Sequence, residues 1–154
     1  MKLTMRVSGL RELDVALGEL PKATSRNVGR RVLMKAGQPI ADAAARLAPD
    51  DPATGGKDLK SSIVVGTKLT RRQASSHRKK TKNDKAFSEA FVGTKDPAAV
   101  QQEFGNERHG PQSFMRPAWD QEKGAALDIV KAELGAEISK AAKRLARRAA
   151  KKAG

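Results

Sequence analysis

Apolar residues in the first third of the chain recur every three or four positions, which is the spacing of one face of an α-helix. The pattern predicts a short helix with Ser8 as its N-cap, and Pro21 either ends this helix or begins the next. The apolar face of the short helix consists of Leu10, Leu13, Leu17 and Leu20.

A longer helix is predicted from about residue 23 to residue 47. Its apolar stripe consists of Val28, Val32, Ala36, Ile40, Ala44 and Leu47. Proline lacks the backbone N–H and clashes with the preceding turn, so Pro39 is expected to kink this helix or to divide it in two.

The middle of the chain changes from helical spacing to short β-branched runs. Proline and glycine mark a loop over residues 49–56, after which Ile63-Val64-Val65 predicts a strand. We expect residues 61–67 and 86–94 to pair as an antiparallel hairpin. The segment between them is basic and poor in apolar residues, which predicts a long mobile loop at the tip of the hairpin.

The C-terminal part of the chain predicts two more helices. A short one extends from Pro97 to Phe104, and a loop follows from Gly105 to Ser113. The last helix begins near Pro117, which suits a first-turn position. Its apolar face consists of Trp119, Leu127, Val130, Leu134, Ile138, Ala141 and Leu145.

Helices followed by a small sheet and a long helix define an α+β fold. The sheet is the hairpin with the long basic loop, and the N-terminal helices and the long C-terminal helix pack on it. We predict a single α+β domain over residues 1–138, within which residues 68–85 form the basic mobile loop. Residues 139–154 are predicted to be a basic extension of the last helix.

Composition limits the size of the core. The chain has 154 residues, 38% of them apolar, but 25 residues are alanine and 34 are larger apolar residues. This composition lies near that of disordered chains, so a large self-sufficient core is not expected. The lack of cysteine excludes disulfide frameworks and thiol catalysis. No apolar run suits a membrane span or a secretion signal, which favours a soluble protein in a cytoplasm-like compartment.

The net charge of +14 is confined to two segments, each with a net charge of +7, and the rest of the chain is neutral. The basic loop contains Lys68, Arg71, Arg72, Arg78, Lys79, Lys80, Lys82 and Lys85. The basic C-terminal arm contains Lys140, Lys143, Arg144, Arg147, Arg148, Lys151 and Lys152. Such blocks are either solvated faces or contacts for a polyanion or an acidic partner surface.

Neither basic segment has the interleaved aromatic residues of single-strand binders or the signature of a sequence-specific DNA reader. The alternative to a solvated surface is therefore contact with phosphate backbone without sequence preference. On charge alone the chain is also compatible with a nonspecific DNA-binding architectural protein. Because the body of the chain sums to zero charge, we favour an assembly protein with charged projections.

Candidate catalytic chemistry is sparse. The two histidines, His77 and His109, lie in predicted loops, and no nucleophile, phosphate-binding or metal-binding motif accompanies them. Asp50, Asp51 and Asp58 are more typical of solvated loop carboxylates than of a divalent-metal cluster. We therefore predict no enzyme activity, no catalytic residues, no metal and no cofactor.

Two aromatic motifs lie around the second loop. Glu103-Phe104-Gly105-Asn106 precedes it, and Gln112-Ser113-Phe114-Met115-Arg116-Pro117-Ala118-Trp119 follows it. Clustered aromatic residues usually form core, so Phe104, Phe114 and Trp119 are expected to pack together and to seat the last helix on the sheet. The candidate aromatic seat or subunit contact consists of Phe104, Gly105, Phe114, Met115, Arg116, Pro117 and Trp119.

With these two motifs the chain resembles the head–tail joining or tail-completion proteins of long-tailed bacteriophages, kin to the minor tail protein Z type. Three further features occur in the family's order along the chain. They are the Gly9-Leu10 opening, the Ala-rich helix ending at Ala48-Pro49, and Gly56 followed by Leu59-Lys60-Ser61-Ser62-Ile63. The resemblance therefore covers essentially the whole chain.

The resemblance implies a non-enzymatic virion protein of the phage neck that is assembled in the host cytoplasm. It implies self-association into a ring, with a hexamer expected, between head-closure proteins and the tail tube. It is also compatible with nonspecific contact between the basic segments and packaged DNA, and it implies no membrane partner.

Overall fold

The computed structural model describes residues 10–49, 59–78 and 88–153. Within these ranges helices dominate, and a two-stranded antiparallel sheet accompanies them, which confirms the predicted α+β class. The elements are α1 (Arg11–Gly18), α2 (Lys22–Leu47), α3 (Leu59–Ser62), β1 (Val64–Gly66), α4 (Arg71–Arg78), β2 (Phe91–Gly93), α5 (Ala98–Phe104) and α6 (Met115–Ala153).

The two N-terminal helices follow the predicted stripes, with two differences. The N-cap position of α1 is Leu10, which makes no side-chain capping hydrogen bond, and Ser8 lies outside the described residues. Pro39 lies inside α2 and does not divide it. The face that carries Val32, Ala36 and Ile40 is buried on both sides of Pro39, and this burial offsets the backbone hydrogen bond that proline removes.

α2 and α6 form an antiparallel pair that organises the molecule. Ion pairs with N···O distances of 2.7, 2.7 and 3.6 Å fix their register, and they join Arg31 to Glu137, Lys35 to Glu133 and Arg46 to Glu122. The Arg31 guanidinium lowers the pKa of Glu137, and Glu133 raises the pKa of Lys35. Because the cationic side chains are exposed, these ion pairs contribute more to the alignment of α2 with α6 than to the free energy of unfolding.

The core is divided into two small clusters rich in alanine. The first surrounds Phe114 and is completed by Ala43, Ala44, Ala48, Leu59, Ala99 and Ala118. The second joins α1 to the α2–α6 pair and contains Val28, Ile138 and Ala141, with Leu13, Ala16, Leu17, Leu20 and Leu134 packed against them. Phe114 is the largest fully buried side chain among the described residues, in keeping with the small core expected from composition.

The sheet is antiparallel as predicted but shorter. β1 and β2 have three residues each, with Val65 opposite Val92, and residues 61 and 62 belong to α3. Gly37 lets the sheet approach α2 closely, because a Cβ there would lie 2.8 Å from Val65 Cγ1 and 3.2 Å from Val92 Cγ2. The small residue in α2 is therefore required by the sheet.

The basic segment between the strands was expected to be a long mobile loop, and for its first half this is wrong. Residues 71–78 form α4. Thr70 Oγ1 accepts the N–H of Gln73 at 3.4 Å, and Gln73 Oε1 accepts the N–H of Thr70 at 3.1 Å. This reciprocal capping box starts a helix that charge composition alone did not indicate. Residues 79–87 lie outside the described residues.

Candidate interaction site at the α5–α6 junction

The carboxylate of Glu103, at the end of α5, caps the start of α6. Oε2 accepts the backbone N–H groups of Phe114 at 2.8 Å and Met115 at 3.0 Å, and Oε1 accepts that of Arg116 at 3.3 Å. The next residue, Pro117, has no N–H to satisfy, and Ala118 N–H already bonds within the helix at 3.2 Å. One side chain therefore satisfies the free donors of the first helical turn.

Arg116 locks this carboxylate in place. Its Nε donates to Glu103 Oε1 at 2.8 Å, and its second terminal nitrogen donates to the Glu103 carbonyl at 2.9 Å and to Ser113 Oγ at 2.8 Å. Glu103 is the buried charged residue of the described core, at 5% exposure. Burial raises its pKa, but the Arg116 guanidinium and the three backbone N–H groups outweigh burial, so the pKa of Glu103 lies below its ordinary value.

The loop between the two helices is held by Gly105 and Asn106. Gly105 has φ of +78°, and a Cβ there would lie 2.9 Å from Pro111 N, so the chain can turn there only with glycine at low cost. Asn106 Oδ1 accepts the N–H groups of Arg108 at 2.8 Å and His109 at 3.0 Å. The loop is therefore an ordered connection that fixes α5 against α6.

The three aromatic residues of the predicted seat do not pack together, so that prediction is wrong. Phe114 is fully buried, whereas Phe104 is 67% exposed and Trp119 is 54% exposed. Successive helical residues differ by about 100° around the axis, so Trp119 points away from the core that Ala118 faces. Phe104 lies at the surface beside the junction. The guanidinium carbon of Arg116 lies over its ring, 5.2 Å from the ring centroid, which is a cation–π contact.

The exposed apolar surface continues along α5. Val100 is one turn before Phe104 and is 63% exposed. Together with Arg116, these residues form what we call the α5 patch. Met115 and Pro117, the remaining members of the predicted seat, are half-buried, and Met115 packs against the Phe114 cluster.

Of the eight basic residues in the predicted basic loop, the structure describes the side chains of two. Lys68 and Arg71 are exposed. The side chains of Arg72 and Arg78 are not described, and Lys79, Lys80, Lys82 and Lys85 lie outside the described residues. His77 Nε2 lies 3.2 Å from Glu89 Oε1, and the His77 ring meets Phe91 edge-on at 5.5 Å. This histidine connects α4 to β2.

The basic C-terminal arm continues α6 beyond its last buried residue, Ala141. From residue 142 to residue 152 every residue is exposed except the half-buried Leu145. Lys140 pairs with Glu137 at 3.3 Å. The other six basic residues of the arm form no ion pair within the described part of the chain.

The remaining candidate catalytic or metal-binding residues are three aspartates and His109. Asp50, Asp51 and Asp58 lie outside the described residues. His109 is exposed, with Nε2 3.1 Å from Asn106 Nδ2. Across residues 10–49, 59–78 and 88–153, no group of three or more metal-ligating side chains comes together, and no helix has the length and hydropathy of a membrane span.

A family model described as "Bacteriophage HK97-gp10, putative tail-component" matches residues 11–105, which is more than half of the chain. The chain belongs to this family. It is a structural tail component of a bacteriophage, and the family indicates a place in the virion, in agreement with the resemblance seen in the sequence. No curated protein and no solved structure matched the chain.

The HK97-gp10 family match ends at Gly105, two residues after Glu103, which joins the two motifs. In the sequence, Glu103 is part of an aromatic motif, and its own role was not predicted. A signal was present, since a Glu lies at the end of one predicted helix and a Pro lies near the start of the next. The interaction spans 11 to 13 positions, however, and local spacing does not specify such pairs.

Proposed function

We propose that this HK97-gp10 family member acts in head–tail connection and tail completion, as a ring-forming assembly protein of the phage neck without catalysis. The α5 patch is the observation that carries the proposal. It combines an exposed aromatic ring, an exposed aliphatic side chain and an arginine, and interface hot spots are enriched in aromatic residues and arginine.

The α5 patch is also preorganised. Glu103 joins α5 to α6 through four accepted hydrogen bonds, and Gly105 permits the tight turn between them. A rigid apolar surface loses little conformational entropy when a partner covers it. The patch therefore suits a permanent contact between subunits.

A ring adds buried surface to a chain whose own core is small. In a closed ring each subunit uses two different surfaces, so the α5 patch of one copy would contact another region of the next copy. Family membership supports the phage tail as the setting, with head-closure and tail-tube proteins as the proposed neighbours above and below, and a hexamer as the proposed ring.

The test is self-association of the full chain, measured by native mass spectrometry and by electron microscopy of stained particles. Closed rings are expected for the natural sequence. Phe104→Ser and Val100→Ser should shift the population to monomers whose far-ultraviolet circular dichroism spectrum still matches that of the natural sequence. Val15→Ser is the matched control, because Val15 is 58% exposed on α1 and lies outside the patch. Equal loss of rings in the control, or a monomer at every concentration, would contradict the proposal.

The second candidate function, nonspecific binding of DNA, is favoured by one observation, namely that six basic residues of the arm form no ion pair with any described residue. Duplex binding by fluorescence anisotropy should weaken steeply with salt, with a slope of about 0.9 per phosphate contact. Neutralising Arg147, Arg148, Lys151 and Lys152 should reduce that slope. Neutralising Lys95 and Arg108, which are exposed elsewhere, should not. Salt-independent binding would exclude the phosphate contact.

A further inference from the structure

Basic residues of α2 lie beside the basic arm of α6. Residues 22–35 of α2 contain five basic residues and no acidic residue, although the chain outside the two basic segments sums to zero charge. The ion pairs between α2 and α6 fix an antiparallel register in which Arg31 is level with Glu137. In that register Lys22, the first residue of α2, is level with Ala146. The basic half of α2 therefore accompanies α6 into the arm.

Glu137 connects the cations of the two helices. Its Oε2 accepts hydrogen bonds from Arg31 Nε at 2.9 Å and from Arg31 Nη2 at 2.7 Å. Its Oε1 accepts a hydrogen bond from Lys140 Nζ at 3.3 Å. Lys140, the first basic residue of the arm, therefore lies directly beside the α2 cation. Because one carboxylate pairs with two cations, a net positive charge remains at this point.

Arg30 extends the positive charge across the outer side of α2. An open concavity of about 460 Å³ lies there, and it is lined by Asn27, Arg30, Arg31, Met34, Lys35 and Thr67. Arg30 is exposed and forms no ion pair within the described part of the chain. An anion can therefore bind the Arg30 guanidinium without the loss of an existing ion pair.

The arm continues the line of cations along one face of α6. Its members follow Glu137 at steps of three or four residues, which places them on the same side of the helix. They are Lys140, Arg144, Arg147 and Lys151. All four are exposed, and the last three form no ion pair with any described residue. The arm therefore presents its cations in line with Arg31.

The acidic residues of α1 do not neutralise this line, because α1 packs on the opposite side of α6. Leu13 of α1 lies against Gly135, since a Cβ built there would lie 3.5 Å from Leu13 Cδ2. Gly135 precedes Glu137 by two residues, so the two positions differ by about 200° around the helix axis. The acidic residues that α1 carries on that opposite side are Glu12, Asp14 and Glu19.

The chemistry of this surface fits a phosphate backbone better than a protein surface. We call it the α2–α6 basic face, and it consists of Arg30, Arg31, Lys140, Arg144, Arg147 and Lys151. Its length is about 21 Å, over which one strand of duplex DNA carries about six phosphates. Protein interfaces are centred on buried aromatic and apolar anchors, whereas the α2–α6 basic face consists of cations alone.

We propose that the α2–α6 basic face binds the phosphate backbone of duplex DNA, and that Arg30 of α2 is part of the contact. The inference rests on the second candidate function, in which the arm binds DNA, and it extends that contact to the folded body of the chain. Glu137 limits the affinity, because it holds two cations that would otherwise meet phosphates. Contacts to phosphates carry no sequence information, so the binding has no sequence preference.

The first test measures how salt weakens binding of the full chain to a short fluorescent duplex, by anisotropy. Arg30→Gln removes one cation and should reduce the slope of log association constant against log salt concentration by about 0.9. Arg108→Gln makes the same change in net charge at an exposed arginine of the loop before α6 and should leave the slope unchanged. A natural slope in Arg30→Gln, with a reduced slope in the arm variants, would overturn the proposal and leave the second candidate function standing.

Glu137→Gln tests the proposal in the opposite direction, because a folding defect does not increase DNA binding. The substitution releases Arg31 and Lys140 from their shared carboxylate, and the slope should become steeper by about 1 to 2. Glu107→Gln removes an exposed carboxylate from the loop before α6 and should leave the slope unchanged. Equal slopes in the two glutamine variants would contradict the role of Glu137 and overturn the proposal.

Poly-glutamate is the probe for an acidic protein as the partner. The duplex should bind more tightly than poly-glutamate at the same ionic strength, and the reverse order would overturn the assignment to DNA. If the natural chain does not bind the duplex at low salt, both the proposal and the second candidate function are wrong.

Discussion

Replacing Glu103 with alanine tests the junction between α5 and α6 directly. The substitution leaves the backbone N–H groups of Phe114, Met115 and Arg116 without their acceptor and removes the partner of the Arg116 guanidinium. Loss of a helix cap costs about 0.5–2 kcal/mol, and loss of a hydrogen bond to a charged group costs about 1.5–3 kcal/mol. These contributions overlap and Arg116 remains hydrated, so we expect a loss of about 2–4 kcal/mol.

Two further variants separate charge from shape. Glu103→Gln keeps the size and one acceptor oxygen but removes the charge that favours a helix N-terminus, so a loss of about 1–2 kcal/mol is expected. Glu107→Ala removes an exposed carboxylate from the same loop and should change stability by less than about 0.5 kcal/mol. The assay is urea unfolding followed by far-ultraviolet circular dichroism. If Glu103→Ala unfolds at the same urea concentration as Glu107→Ala, the capping argument is refuted.

Acid titration provides an independent check on the same carboxylate. The pKa of Glu103 is lower in the folded state, because Arg116 and the backbone donors outweigh burial. A lowered folded-state pKa contributes stability above the unfolded-state value, and this contribution is lost as pH falls toward the folded-state value. Between about pH 5 and pH 3, the natural chain should therefore lose more stability than Glu103→Gln. Parallel losses in both chains would contradict this assignment.

Three other substitutions have defined outcomes. Phe114→Ala should cost about 3–5 kcal/mol in urea unfolding, because the ring is fully buried, whereas Phe104→Ala should cost less than about 1 kcal/mol. Gly105→Ala should lower stability by about 1–2 kcal/mol in thermal unfolding, and Gly110→Ala, where a Cβ meets nothing, should not. Thr70→Ala should remove about 1 kcal/mol of capping, seen as about fivefold faster amide exchange in α4.

The helices and the strand pairing could be predicted because their signals are local. The stripe through Val28, Val32 and Ile40 has helical spacing over the whole of α2, and the β-branched run at residues 63–65 predicted β1. α4 was missed although its signal was also local. Thr70 and Gln73 have the capping-box spacing, but the density of basic residues around them favoured a loop.

The candidate site was predicted less well because it depends on contacts between distant residues. The sequence located Phe104, Phe114 and Trp119 but could not show that Phe114 is buried and the other two are exposed. That outcome depends on where α6 begins and on which side of it Ala118 packs. The role of Glu103 depends on a loop that brings it to backbone atoms more than ten residues away.

The Glu103 junction also links residues on the two sides of Gly105, where the family match ends. Cutting the chain at residue 105, where the family match ends, would retain a buried acid without its donors and would uncover the alanine face of α2. The matched residues therefore lack part of the packed core, which continues along α6 to Ala141, the last buried residue of that helix in the described part of the chain. Truncations that end before Phe114 should lose both the α6 cap and the Phe114 cluster, whereas truncations that end between Arg116 and Ala141 should keep the cap and lose the packing under α1.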